Sequence, residues 1–376
     1  MDVCSHTSWV DVSGDSRLCL ADPKRLNRLA ASRKDTSDLY PRILLLIGKG
    51  AKRQAIKQIF PDSGSPTEDK TLSCIHGDRQ TANSKEPIFF VDSELDIPVP
   101  LKPTAPKCHD TKSFRAEWEP EGREVSHIIL SRLLFPFVDT VCVFADDIGG
   151  LEAAEAYINI WSSKEKASTL PATVRPRLII ITSKRPYRDL VKKLQKVEAR
   201  SPFSFVQIIR GREYQHLRSR LVEQLDASQS QRRVEHTSFA LPHLAWFFTE
   251  AVAHVARTIT EPFDFVRTSR IHRPLPESYT KQLRAFFELA VGHNVPTNSV
   301  IVAIASSILL DAYSSSAHSG SSLRGIHGAK VLTEVSVLAQ GCLRCRLPPT
   351  SGALLGADIY SRQAADEPTA ACELCC

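Results

Sequence analysis

The stretch Ile43-Leu44-Leu45-Leu46-Ile47-Gly48-Lys49-Gly50-Ala51-Lys52-Arg53-Gln54-Ala55 decides the fold. Its five consecutive branched apolar residues are too few for a helix and read as a strand buried on both faces. Glycines let the chain turn sharply at its end. Ala51–Ile59 then reads as a helix with Ile56, Ile59 and Phe60 facing inward. Working outward, five more short apolar runs follow at Leu72–Gly77, Ile88–Asp92, Thr140–Asp147, Arg177–Ser183 and Phe205–Arg210. The gaps after Ile43–Gly48 and after the last three runs have helical character. Alternating strands and helices predict an α/β fold, an open and mostly parallel six-stranded sheet covered on both sides. Such sheets bind ligands outside the carboxyl ends of their strands, so the residues standing there matter most for function.

A chain of 376 residues, 42% hydrophobic and 24% charged, has the composition of an ordinary globular protein with room for about two domains. A net charge of +6 gives no specific reason to expect nucleic acid. Met1–Asp15 lacks a basic start followed by an apolar core, so no secretory signal is expected. The apolar segment Val300–Leu310 is far below the roughly 20 residues that cross a bilayer. The ten cysteines accordingly read as reduced thiols in the cytosol or nucleus.

The polar residues 1–40 read as a disordered arm with one helix at Pro23–Arg33. Residues 41–227 form the sheet domain. Within it, Pro98–Pro120 reads as irregular because its prolines break any regular element, and helices are expected at Val125–Leu134, Leu151–Trp161, Tyr187–Val197 and Glu213–Leu225. Ser228–Val234 reads as a polar linker. Residues 235–313 show only helical patterning and predict a small helical domain. Residues 314–376 read as a disordered tail rich in Ser, Gly and Ala, carrying five of the cysteines as free thiols.

Four strand ends carry candidate chemistry. A strand, a glycine turn and a helix start form the layout of a phosphate-binding loop, whose backbone N–H groups cradle an anion. Counted from Gly48, the full motif places Gly, Lys and a hydroxyl residue where this chain has Arg53, Gln54 and Ala55. Gly48, Lys49, Gly50 and Lys52 remain as candidate anion or nucleotide ligands. Asp92, at the end of the third run, stands where a nucleotide switch holds its metal through water, but Leu95 replaces the switch glycine. Asp146 and Asp147, after the fourth run, resemble the carboxylate strand that orders Mg²⁺ in phosphoryl transfer. One of them is also expected to cap the helix that begins at Leu151. The fifth run ends in Thr182-Ser183-Lys184-Arg185-Pro186, where guanine-nucleotide proteins carry Asn-Lys-x-Asp, and only Lys184 matches. The layout is therefore that of a small GTPase with degenerate motifs, with an antiparallel second strand at Leu72–Gly77. Lys49, Lys52, Arg53, Lys184 and Arg185 are expected on one edge beside Asp92, Asp146 and Asp147.

Three strings carry a resemblance to known proteins. They are Arg132-Leu133-Leu134-Phe135-Pro136-Phe137-Val138-Asp139, Phe144-Ala145-Asp146-Asp147-Ile148-Gly149-Gly150 and Ala305-Ser306-Ser307-Ile308-Leu309-Leu310-Asp311. Over roughly Pro41–Tyr313 the chain resembles the degenerate P-loop, GTPase-like region of large filamentous-fungal proteins, which can precede a patatin-like phospholipase or another effector domain. No Gly-x-Ser-x-Gly elbow occurs in this sequence, so phospholipase activity does not carry over. The resemblance implies a fungal regulatory or interaction module.

Other chemistry is weaker. Gly14-Asp15-Ser16-Arg17 has a serine but no partner base. Glu250 and His254 share a helix face with His243 nearby, without a third metal ligand at suitable spacing. The pair Cys342-x-x-Cys345 and Cys372-x-x-Cys375 is spaced too widely for a zinc ribbon. Together these readings predict a non-catalytic or weakly nucleotide- or anion-binding regulatory or interaction module. Its partner is expected to be another protein; no cofactor is required by the residues, and the layout leaves room for a nucleotide with Mg²⁺. The alternatives are an atypical Mg²⁺-dependent NTPase or phosphohydrolase using Asp92, Asp146 and Asp147, and a scaffold without a ligand.

Overall fold

The computed structural model describes residues 7–14, 17–31, 36, 38–61, 72–95, 111–119, 124–163, 166–184, 202–211, 216–235, 237–269 and 277–312. The expected helix at Tyr187–Val197, Arg185 and the tail from residue 314 lie outside them. In chain order the elements are β1 (Ser8–Ser13), β2 (Cys19–Asp22), α1 (Arg25–Ala31), β3 (Arg42–Ile47), α2 (Gly50–Ile59), β4 (Ser73–Gly77), β5 (Ile88–Ser93) and β6 (Lys112–Arg115). There follow α3 (Glu124–Ile128), β7 (Thr140–Phe144), α4 (Leu151–Ser163), β8 (Arg177–Thr182), β9 (Phe205–Arg210), α5 (Leu217–Val234), α6 (Leu241–Arg257), α7 (Phe265–Ser269), α8 (Glu277–Gly292) and α9 (Thr297–Ala312).

All six apolar runs are strands, and they belong to one nine-stranded sheet of order β6-β2-β1-β4-β5-β3-β7-β8-β9. From β5 to β9 the neighbours are parallel, while β4 runs antiparallel to β5 as the sequence suggests. Every residue of β3 is buried. Its alternation divides the core in two, because successive side chains point to opposite faces of a strand. Ile43, Leu45 and Ile47 join Ile128, Leu151, Ile158 and Phe248 on one face. Leu44 and Leu46 join Ala55, Ile56, Ile59, Leu221 and Leu225 of α2 and α5 on the other.

Three expectations are corrected here. Among the described residues the sheet has nine strands rather than six, and its extra strands come from the segments read as a disordered arm and a proline-broken stretch. β1 and β2 form a hairpin, and β6 pairs with β2. Trp9 of β1 is fully buried and stacks on Phe248 of α6 at 4.7 Å between ring centroids. That burial gives β1 a fixed place.

The helical region is also not a separate domain throughout. α6 packs across α1, β2 and β6 and shares the sheet's core. Thr249 of α6 donates to the buried carboxylate of Asp22 in β2. Among the described residues, α8 and α9 form a cluster of their own, around Ala290, Val300 and Ile304.

The polar linker Ser228–Val234 is the last part of α5. Arg232 explains its order. Its guanidinium is buried and pairs with Asp139 at 2.8 Å, and it donates to Val138 O at 3.1 Å. Asp139 also accepts from Ile43 N at 2.7 Å. Burial pushes the Asp139 carboxyl above its ordinary range, and Arg232 and the Ile43 amide offset only part of that rise. The pair ties the end of α5 to the foot of the central strands.

The expected helix at Val125–Leu134 is a short α-helix followed by a π-helical turn at Ile129–Leu134 and a 3-10 turn at Phe135–Phe137. Arg132 in the π-helical turn is buried and donates to Lys166 O at 2.7 Å and Glu261 O at 2.8 Å. Among the described residues, no helix is long and apolar enough to cross a membrane.

Candidate phosphate-cradle site

β3 delivers Gly48 to the carboxyl edge of the sheet, and α2 starts two residues later. Gly48 has φ +157. A Cβ there would stand 2.7 Å from Asp147 Oδ2 and 3.0 Å from Phe144 Cβ, so the close approach requires glycine. At Gly50 the nearest atom to such a Cβ is 3.8 Å away.

The first turn of a helix leaves backbone N–H groups without intrahelical partners. Here they converge on one carboxylate. Asp147 Oδ2 accepts from Lys49 N at 2.6 Å and Lys52 N at 2.9 Å, and Oδ1 accepts from Ala51 N at 2.8 Å. A negative charge at this end of the helix is favourable. The contact follows from topology, since β7 is the parallel neighbour of β3 and pairs Val143 with Ile47. After Phe144 the chain makes a 3-10 turn through Ala145–Asp147, which lays the carboxylate over the start of α2. Gly149 and Gly150 then take φ +102 and +103, a conformation open to glycine that lets the chain leave the turn sharply.

The expectation that Asp146 or Asp147 caps the helix at Leu151 is thereby corrected. Asp147 caps α2. Asp146 ties the ends of two strands, accepting from Thr182 Oγ1 at 3.0 Å and Ser183 N at 2.8 Å. Burial raises the Asp146 pKa, but the bonds from Ser183 and Thr182 and the charge of Lys184 outweigh it and leave the carboxyl below its ordinary range.

Lys52 lies on the inward face of α2 with a fully buried side chain. Its Nζ donates to Ser93 O at 2.8 Å and forms an ion pair with Asp92. The ammonium therefore serves the end of β5 and does not face the loop. Lys49 contributes its backbone N–H to Asp147, and its side chain is exposed. Arg53 pairs with Glu94 at 3.1 Å on the surface. Lys184 is exposed, with its backbone N–H on Thr182 Oγ1 at 3.1 Å. Ala55, where a P-loop needs its hydroxyl, is buried under the sheet.

The structure thus brings Gly48, Lys49, Gly50, Lys52 and Asp147 together. It gives Asp92, Asp146 and Asp147 three different tasks. Among the described residues, no group of three or more His, Cys, Asp or Glu side chains could hold a metal ion. Glu250 pairs with Lys112 at 3.5 Å, and His254 Nε2 lies 3.1 Å from Glu261 O.

Two participants are absent from the sequence reading. Ser93 supplies the carbonyl that anchors Lys52, and its hydroxyl donates to Leu72 O at 2.8 Å. His76 of β4 is buried and stacks on Phe90 at 5.1 Å. Among the described residues its Nε2 has no hydrogen-bond partner. Burial lowers the His76 pKa to about 4, against the opposing pull of Asp92 and with a contribution from Arg25. The alternation of β4 and the aromatic Phe90 opposite were the available signal. No protein-family model matches the chain, and no curated protein matches it.

Proposed function

We propose that the chain is a non-catalytic regulatory or interaction module built on a nucleotide-binding layout whose phosphate cradle is filled from within. One observation carries this reading: the three amides that would hold a phosphate, those of Lys49, Ala51 and Lys52, donate to Asp147. A nucleotide would have to displace a carboxylate whose charge-assisted bonds contribute about 1.5–3 kcal/mol each. It would meet no P-loop lysine in return, because Lys52 is committed to Asp92 and Ser93 O. Phosphoryl transfer depends on positioning and charge stabilisation around the phosphates, and both are missing at Gln54 and Ala55. The likeness to GTPase-like regions that accompany effector domains supports a module acting through a protein partner.

Isothermal titration of the full chain with GTP and ATP, with and without Mg²⁺, tests this. We expect no saturable binding below millimolar nucleotide and no hydrolysis. Mg²⁺-dependent binding at micromolar nucleotide, or turnover near the ~1 s⁻¹ of a slow competent enzyme, would overturn the reading in favour of an atypical NTPase.

A further inference from the structure

We draw no further inference here: the strongest candidate, the apolar outer face of the α8–α9 hairpin carrying the exposed side chains of Phe286, Leu289 and Val302, is an unpartnered surface and nothing in the structure shows what covers it.

Discussion

Replacing Asp147 by Ala removes the acceptor of three backbone N–H groups at once. Losing an N-cap side chain costs about 0.5–2 kcal/mol. Lys49 N lies at an exposed position where water can replace the carboxylate, but Ala51 N and Lys52 N are partly buried, so their loss is less well compensated. The helix also loses a negative charge at its positive end, which contributes roughly 0.3–1 kcal/mol. We expect Asp147→Ala to cost about 2–3 kcal/mol. Asp147→Asn keeps one carbonyl oxygen and loses the charge, and we expect about 1 kcal/mol. Urea denaturation followed by far-UV circular dichroism reads the difference. With a slope of roughly 2–3 kcal/mol/M for a chain of this size, the Ala midpoint should fall by about 1 M and the Asn midpoint by less than half of that. Amide hydrogen exchange supplies a local readout, in which Lys49, Ala51 and Lys52 should lose protection in the Ala variant before the sheet does. An Ala variant within about 0.5 kcal/mol of the parent, the range of ordinary surface substitutions, would refute the assignment of Asp147 as the cap of α2.

Three further outcomes follow from the same site. His76 has a folded pKa of about 4 against 6.5 unfolded, so its contribution is fully present above pH ~6.5 and is lost as pH falls toward 4. The loss amounts to about 3 kcal/mol; His76→Phe should remove that part of the pH dependence in urea melts, and an unchanged pH profile would count against it. Lys52→Met leaves Asp92 without its buried partner and should cost about 3 kcal/mol. Adding Asp92→Asn should recover at least half of that loss, and strictly additive costs in the double-mutant cycle would show that the pair is not coupled. Gly48→Ala drives a methyl into Asp147 and Phe144 and should cost more than about 2 kcal/mol, whereas Gly50→Ala should stay within about 0.5 kcal/mol. Equal thermal shifts in the two alanine variants would contradict the geometry.

The strands of the parallel half were legible because burial on both faces leaves a continuous apolar run, as in Leu44, Leu45 and Leu46. β1 was not legible, because Ser8-Trp9-Val10-Asp11-Val12-Ser13 is short and half polar. What orders it is Phe248, on a helix remote in sequence. Non-local burial of this kind leaves no local period. The same separation made α6 look like part of another domain, although its buried face, with Phe248, Val252 and Val255, lies in the sheet's own core.

The role of Lys52 was, by contrast, written in the sequence. Helical spacing through Ala55, Ile56 and Ile59 marks the inward face of α2, and Lys52 falls on that same face. A lysine placed inward by periodicity needs a buried acceptor, and Asp92 at the end of the next parallel strand provides it. Motif spacing favoured a ligand role because it records which residue types stand near a glycine, not which groups already satisfy one another. The same distinction explains the glycine itself. Gly48 fits a phosphate loop, yet the atom 2.7 Å from its missing Cβ belongs to Asp147. The amides of a helix start need an acceptor whether or not a nucleotide is present. Once the strand beside β3 ends in a carboxylate that reaches them, the glycine turn has a structural reason to be there without any phosphate.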